Sequence, residues 1–213
     1  MIIIGAKGHA KELFDLLDNQ QLANATFFDN LSQDCGDALF GKIILKNFEQ
    51  AEAQLLKEPG FALGIGGVFS RFFLYSKFLG LNGRPISVIA SNAVISQSAV
   101  LGLGLNIMRF AFVSASTQVG DGCLINAGAS VHHDSKIGKF VEISPGAKVL
   151  GNCSVGDFTT IGANATLLPK ITLGSNVVVA AGAVVTKDVP DNCLVAGVPA
   201  VVKKLRKMPQ IIF

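Results

Sequence analysis

Few residues in this chain can do acid–base chemistry, and they are unevenly placed. Of 213 residues three are histidines: His9, His132 and His133. His133 is followed directly by Asp134, and a carboxylate beside an imidazole fixes its tautomer and strengthens it as a general base. Ala115 and Gly151 stand 18 residues before and after His133. If the chain repeats at that interval, small residues flank the imidazole, and Gly151 presents a backbone N–H to a developing oxyanion. Base, orienting acid and oxyanion donor are the parts of an acyl-transfer site that deprotonates a nucleophile. A solvated loop accounts for the same His-His-Asp run and stands as the alternative. A metal centre is not expected. The two adjacent histidines diverge, the repeat holds no third, and Cys35, Cys123, Cys153 and Cys193 form no CxxC pair or zinc spacing.

An 18-residue interval is what the surrounding sequence provides. From Ile95, steps of six land on an aliphatic residue at sixteen consecutive positions ending at Val185. Two positions before each, the residue is usually small, as at Ala111, Cys123, Ser135, Cys153 and Thr159, and the position after is often Gly. Neither a helix nor a simple strand has this period. It belongs to a parallel β-helix in which each hexad is one short strand and one corner. Three hexads close a triangular coil, so residues 18 apart stack at roughly 4.8 Å. Val131 points inward, which puts His132 and His133 on an outward corner. Cys123 and Cys153 fall at the small position, where packing explains them. Phe110, Phe112 and Leu168 fall on outward positions and need cover.

Upstream the pattern changes. Residues 2–4 read as a buried strand, followed by Gly5-Ala6-Lys7-Gly8-His9 and a helix over 10–17. Strand, glycine turn and helix open a nucleotide-binding βαβ unit, although the spacing is not GxGxxG. Thr26-Phe27-Phe28 predicts a second strand ending at Asp29-Asn30, where an acid suits a sugar hydroxyl and serves equally as a turn residue. Residues 61–65 predict a third strand, Gly66-Gly67 and a helix over 70–79 carrying Arg71 follow, and 86–89 predict a fourth strand. The expected organisation is an α/β Rossmann-like domain over 1–90 and an all-β parallel β-helix domain over 91–213. The tail Lys203-Lys204-Leu205-Arg206-Lys207 reads as a solvated end or a phosphate contact.

Composition removes several classes. A net charge of +3 is too small to argue for nucleic acid or an anionic membrane surface. No run of 18 apolar residues exists to span a membrane, and Met-Ile-Ile-Ile-Gly lacks the basic start of a signal peptide. The expected compartment is the reducing cytoplasm.

With these residues in hand, the chain resembles the bacterial sugar acyltransferases that join a Rossmann-like domain to a β-helix, among them sialic acid O-acetyltransferases and UDP-amino-sugar and perosamine N-acetyltransferases. The matching stretches are Gly5 to His9, Phe28-Asp29-Asn30, Ile65-Gly66 with Arg71, Ile125-Asn126, His133 to Gly138, Ile143 to Gly146, and Ala180 to Ala200. The resemblance implies a left-handed coil, a homotrimer and acetyl-CoA as co-substrate. It implies His133 as general base with Asp134 as its partner. It implies that Lys7, Gly8, His9, Asp29, Asn30 and Gly66 hold a nucleotide-sugar. It places acetyl-CoA between subunits near Glu142, Gly151, Ala163 and Ala181. Three features depart from the family. His132 stands where an acid often precedes the base. Glu142 stands where a histidine is common, near the acceptor sugar and CoA. Val201 follows the Gly-x-Pro-Ala segment in place of a basic residue. The expected activity is N-acetylation of a nucleotide-linked amino sugar. O-acetylation of sialic acid or another sugar is the nearest alternative, and a non-catalytic trimeric scaffold the alternative of another class.

Overall fold

The computed structural model describes residues 1–32 and 34–205. The N-terminal unit contains, in chain order, β1 (Ile2–Ile4), α1 (Gly8–Phe14), α2 (Asn19–Asn24), β2 (Thr26–Phe28), β3 (Ala38–Leu39), β4 (Lys42–Leu45), α3 (Phe48–Leu55), β5 (Gly60–Leu63), α4 (Val68–Gly80) and β6 (Arg84–Pro85). The sheet order is β3-β4-β2-β1-β5-β6, parallel except for the β3–β4 hairpin. β1 is central and apolar throughout because both faces are covered. Ile3 packs with Leu13 and Phe27 on one side, and Ile2 and Ile4 with Phe28, Phe61 and Phe78 on the other. α1 crosses close over β5 only because position 64 is glycine. A Cβ there would lie 2.9 Å from the Ile4 carbonyl oxygen and 3.0 Å from the Ala10 Cα.

The remainder is a left-handed parallel β-helix of two-residue strands with an 18-residue register, such as Asn106↔Leu124 and Leu124↔Glu142. Its three sheets form the faces of a triangular prism. Face 1 holds the strands at 88–89, 106–107 and every 18 residues to 178–179. Face 2 starts at 94–95 and face 3 at 100–101. The core is the columns of inward aliphatic residues, including Ile107, Ile125, Ile143, Ile161 and Val179, all essentially inaccessible. The small residues beside them also sew coil to coil. Ser135 Oγ donates to the Leu150 carbonyl (3.1 Å) and accepts from the Cys153 N–H (3.2 Å). Thr159 Oγ1 does the same with Gly174 and Val177, and Cys123 Sγ with Gly138 and Val141.

Two boundaries differ from the sequence reading. Val88–Ile89 is not a strand of the N-terminal sheet. It pairs with Asn106–Ile107 as the first rung of face 1, and the sheet ends instead on β6. The reason is the repeat itself, since one more six-residue step back from Ile95 lands on Ile89. At the other end the inward columns continue past Asp188. Val189 bridges Leu173, and Leu194–Val195 pair with Val178–Val179, at an interval of 16 instead of 18. A hairpin of Cys193–Gly197 and Ala200–Leu205 follows. Lys203 and Lys204 lie exposed on it, while Arg206 and Lys207 lie outside the described residues.

The N-terminal unit sits on face 1, where Val88, Met108 and Leu124 join the core of Ile3, Leu13 and Phe27. α4 rides over the corner between faces 3 and 1. There Phe72 and Tyr75 meet Phe140 at 5.2 and 5.3 Å between ring centroids, and Phe69 stacks on Phe158. Arg71, 0% exposed, bonds both units. It donates to the Leu63 and Ile65 carbonyls at the end of β5 and to the Gly122 and Cys123 carbonyls of the β-helix. Burial lowers the Arg71 guanidinium to about 10.

Candidate functional site

His133 and Asp134 lie on the corner between faces 2 and 3. The coils above and below fix its backbone. The His132 N–H donates to the Val149 carbonyl, the Asp134 N–H to Ala115, and the Asn152 N–H to His133. Asp134 has φ +60°, the left-handed turn that each corner needs and that Asp tolerates better than most residues. That turn brings Asp134 Oδ2 to 2.8 Å from His133 Nδ1. With the carboxylate as acceptor, Nδ1 carries the proton and Nε2, on the Gly151 side of the ring, keeps its lone pair. The two side chains are 57% and 52% exposed, so a substrate can reach them.

Gly151 lies directly against the ring. A Cβ at that position would stand 2.6 Å from His133 Nε2, so only glycine leaves the imidazole in place. Its N–H donates to no acceptor among the described residues. His132 differs. Its ring meets Phe112 edge-on at 5.6 Å on the face 2 side. The nearby thiol is no nucleophile: burial raises the Cys153 pKa, and its Sγ donates to the Leu168 carbonyl.

The second feature is a cavity of about 360 Å³ at the C-terminal ends of β1, β2 and β5, where open parallel sheets bind ligands. Lys7, His9, Asp29, Asn30 and Gly66 line it. Gly8 opens α1 beside it. Ser32, Gly64 and Ser70 also line it and were not singled out by sequence. For Ser32 a signal existed in its place three residues after Asp29. Asp29 Oδ1 accepts from the Leu31 and Ser32 N–H groups, so the turn role is real. Burial pushes the Asp29 carboxyl up, but hydrogen bonds from Ser32 and Leu31 and the charge of Lys46 outweigh it and hold it below its ordinary value. Burial, then the charge of Arg71, lowers the His9 pKa below its ordinary value against the opposing pull of Glu12. Lys7 pairs with Asp34 at the rim, and that bond raises its pKa.

The residues expected around acetyl-CoA do not converge within one chain. Gly151 adjoins His133. Ala163 and Ala181 stack on the corner between faces 1 and 2, where the Gly182 N–H meets the Ala163 carbonyl. Glu142 is on face 1, its Oε2 accepting the Gly67 N–H at 2.8 Å. The His133 corner is the one opposite face 1, the face that carries the N-terminal unit, so cavity and imidazole lie on opposite sides of the prism. Among the described residues no three His, Cys, Asp or Glu side chains gather to hold a metal, and no helix is long and apolar enough to cross a membrane.

Comparison with known proteins adds the following. Residues 116–151 and 152–187 match the family described as bacterial transferase hexapeptide (six repeats). Among solved structures, PerB from Caulobacter crescentus, in complex with CoA and GDP-perosamine, is 30% identical with a TM-score of 0.86, over 95% of this chain and 96% of that one. The acetyltransferase domain of PglB from Neisseria gonorrhoeae, in complex with acetyl coenzyme A, is 30% identical with a TM-score of 0.86, over 95% and 98%. WeeI from Acinetobacter baumannii is 27% identical with a TM-score of 0.87, over 95% and 98%. Comparison with curated proteins gives no match.

Proposed function

The chain belongs to the bacterial hexapeptide-repeat sugar acyltransferases, and on that premise we propose that it transfers acetyl from acetyl-CoA to the amino group of a nucleotide-linked sugar. The observation that carries this reading is the corner itself: Nδ1 of His133 held by Asp134, and Gly151 against the ring, with neither His133 Nε2 nor the Gly151 N–H hydrogen-bonded among the described residues. As the amine attacks the thioester carbonyl, Nε2 takes the proton it sheds. The Gly151 N–H holds the oxyanion while the C–N bond forms. Collapse breaks the C–S bond, and the imidazolium returns its proton to the CoA thiolate. No covalent enzyme intermediate is needed. PerB, a structure containing CoA and GDP-perosamine, supports an amine acceptor over a hydroxyl.

The acceptor nucleotide occupies the N-terminal cavity. Asp29→Ala is expected to raise the sugar-nucleotide KM about tenfold or more, as for loss of a charge-assisted hydrogen bond, and to leave the acetyl-CoA KM within about twofold of wild type. Equal changes in both constants would count against a nucleotide site there.

Since cavity and base lie on opposite sides of the prism, a second copy completes the site, and the assembly is a homotrimer. Phe110, 71% exposed, together with Phe112 and Leu168, supplies apolar surface for it. Sedimentation is expected to give about three times the 22.3 kDa chain mass. Co-refolding His133→Ala chains with Asp29→Ala chains is expected to restore part of the activity each lacks alone. A monomer in sedimentation, or no complementation, would sink the shared site.

A further inference from the structure

We propose that Glu142 is the specificity-determining carboxylate for the acceptor's amine, an inference that rests on the function proposed above. The sheet order places it. β1 lies between β2 and β5, so a nucleotide-sugar laid across the cavity has its nucleoside over the β2 end at Asp29. Its diphosphate lies over the central turn, Gly5 to His9. Its sugar lies over the β5 end, Gly64 to Gly66. That end abuts face 1 of the β-helix, and the ionisable side chain of face 1 that meets it is Glu142.

The contact is close. Both Glu142 carboxylate oxygens lie 3.7–3.8 Å from where a Cβ on Gly66 would stand. Gly66 lines the cavity and carries no side chain, so the carboxylate stands directly behind that part of the wall. Oε2 accepts the Gly67 N–H, which fixes the carboxylate, while Oε1 accepts nothing among the described residues. Arg71 does not take that place. Its hydrogen bonds run to the carbonyls of Leu63, Ile65, Gly122 and Cys123.

An anchored carboxylate with one free oxygen accepts hydrogen bonds and donates none. A primary amine near neutral pH is largely an ammonium and adds a full charge–charge attraction to its hydrogen bond with the carboxylate, whereas a hydroxyl brings the hydrogen bond alone. Glu142 therefore favours an amino sugar over the matching hydroxy sugar. The ammonium loses its first proton to solvent, and the second passes to His133 as the amide forms. The Gly67 bond also holds the wall of the cavity. Glu142→Gln separates the two roles, because the amide oxygen still accepts from Gly67 and only the charge is lost.

The test uses the full-length enzyme with CoA present. Calorimetry compares nucleotide-linked 4-amino-4,6-dideoxyhexoses with the matching 6-deoxyhexoses on wild type and Glu142→Gln, with melting curves to verify folding. Wild type is expected to prefer the amine, and Glu142→Gln to lose about ten- to a hundredfold of that preference. Affinity for the hydroxy ligand should stay within about threefold. Equal weakening of both ligands would reduce Glu142 to a latch on the Gly66–Gly67 turn, and no change in either would remove it altogether. Both outcomes overturn the proposal while acetyl transfer by wild type still stands. Failure of wild type to bind or acetylate any amino sugar in the set would overturn the proposed function itself, and this assignment with it.

Discussion

His133→Ala is expected to lower turnover by about 10²–10⁴, the span for losing a positioned general base, with acetyl-CoA affinity nearly unchanged. The imidazole takes the acceptor's proton and meets the CoA sulfur only after the C–S bond has broken, so it holds no part of bound acetyl-CoA. His132→Ala is the internal control. Its ring packs on Phe112 at 5.6 Å, and Asp134 Oδ2 is bonded to the neighbouring ring, so the cost there should be far smaller. Asp134→Asn keeps a residue that tolerates the left-handed turn at φ +60° and removes the charge that holds Nδ1. It should reduce the rate without unfolding the corner. The assignment falls if His132→Ala abolishes activity while His133→Ala retains it.

The second large effect is expected from one added methyl group. In Gly151→Ala the new Cβ would stand 2.6 Å from His133 Nε2. The ring is more than half exposed and can swing away, so the fold should persist with a melting temperature within a few degrees of wild type. Swinging away breaks the 2.8 Å bond to Asp134, and the methyl group screens the N–H proposed for the oxyanion. Turnover should drop by about 10²–10³, comparable to losing one oxyanion donor. A variant as active as wild type would show that neither the ring's seat nor the Gly151 N–H matters. An unfolded one would show that the corner cannot yield as described.

Much of this was legible in the sequence because a period of six is simple geometry. The step from Ile95 fixed the inward columns, placed His133 on a corner and paired it with Gly151 across 18 residues. The pattern weakens where the geometry changes. The first rung at Val88–Ile89 obeys the six-residue step but also reads as a strand of the preceding α/β unit, and the last coil is two residues short, so a strict count fails only at that far end. The N-terminal cavity was readable at its glycines and at Asp29, which sit on strand ends. Ser70 and Gly64 were not, because they reach the cavity through packing between distant elements. Glu142 was singled out only by the family resemblance, and its anchor was not legible at all. Its hydrogen bond to Gly67 crosses 75 positions, and no local period reports on such a contact.

The place where Arg71 grips the β-helix bears on how the molecule comes apart. A stack of coils behaves as a one-dimensional array in which each layer leans on its neighbours and the ends fray first. Arg71 does not hold the outermost layer. It reaches past the rungs at 88–89 and 106–107 to the carbonyls of Gly122 and Cys123. The first layers are thereby enclosed between the α/β unit and the layer that unit is bolted to. They cannot peel away singly, and amide protons there should exchange only when the α/β unit opens as well. The cooperative unit at this end of the molecule thus runs across the junction between the two architectures, and fraying is left to the far end, where the short coil and its hairpin close the stack.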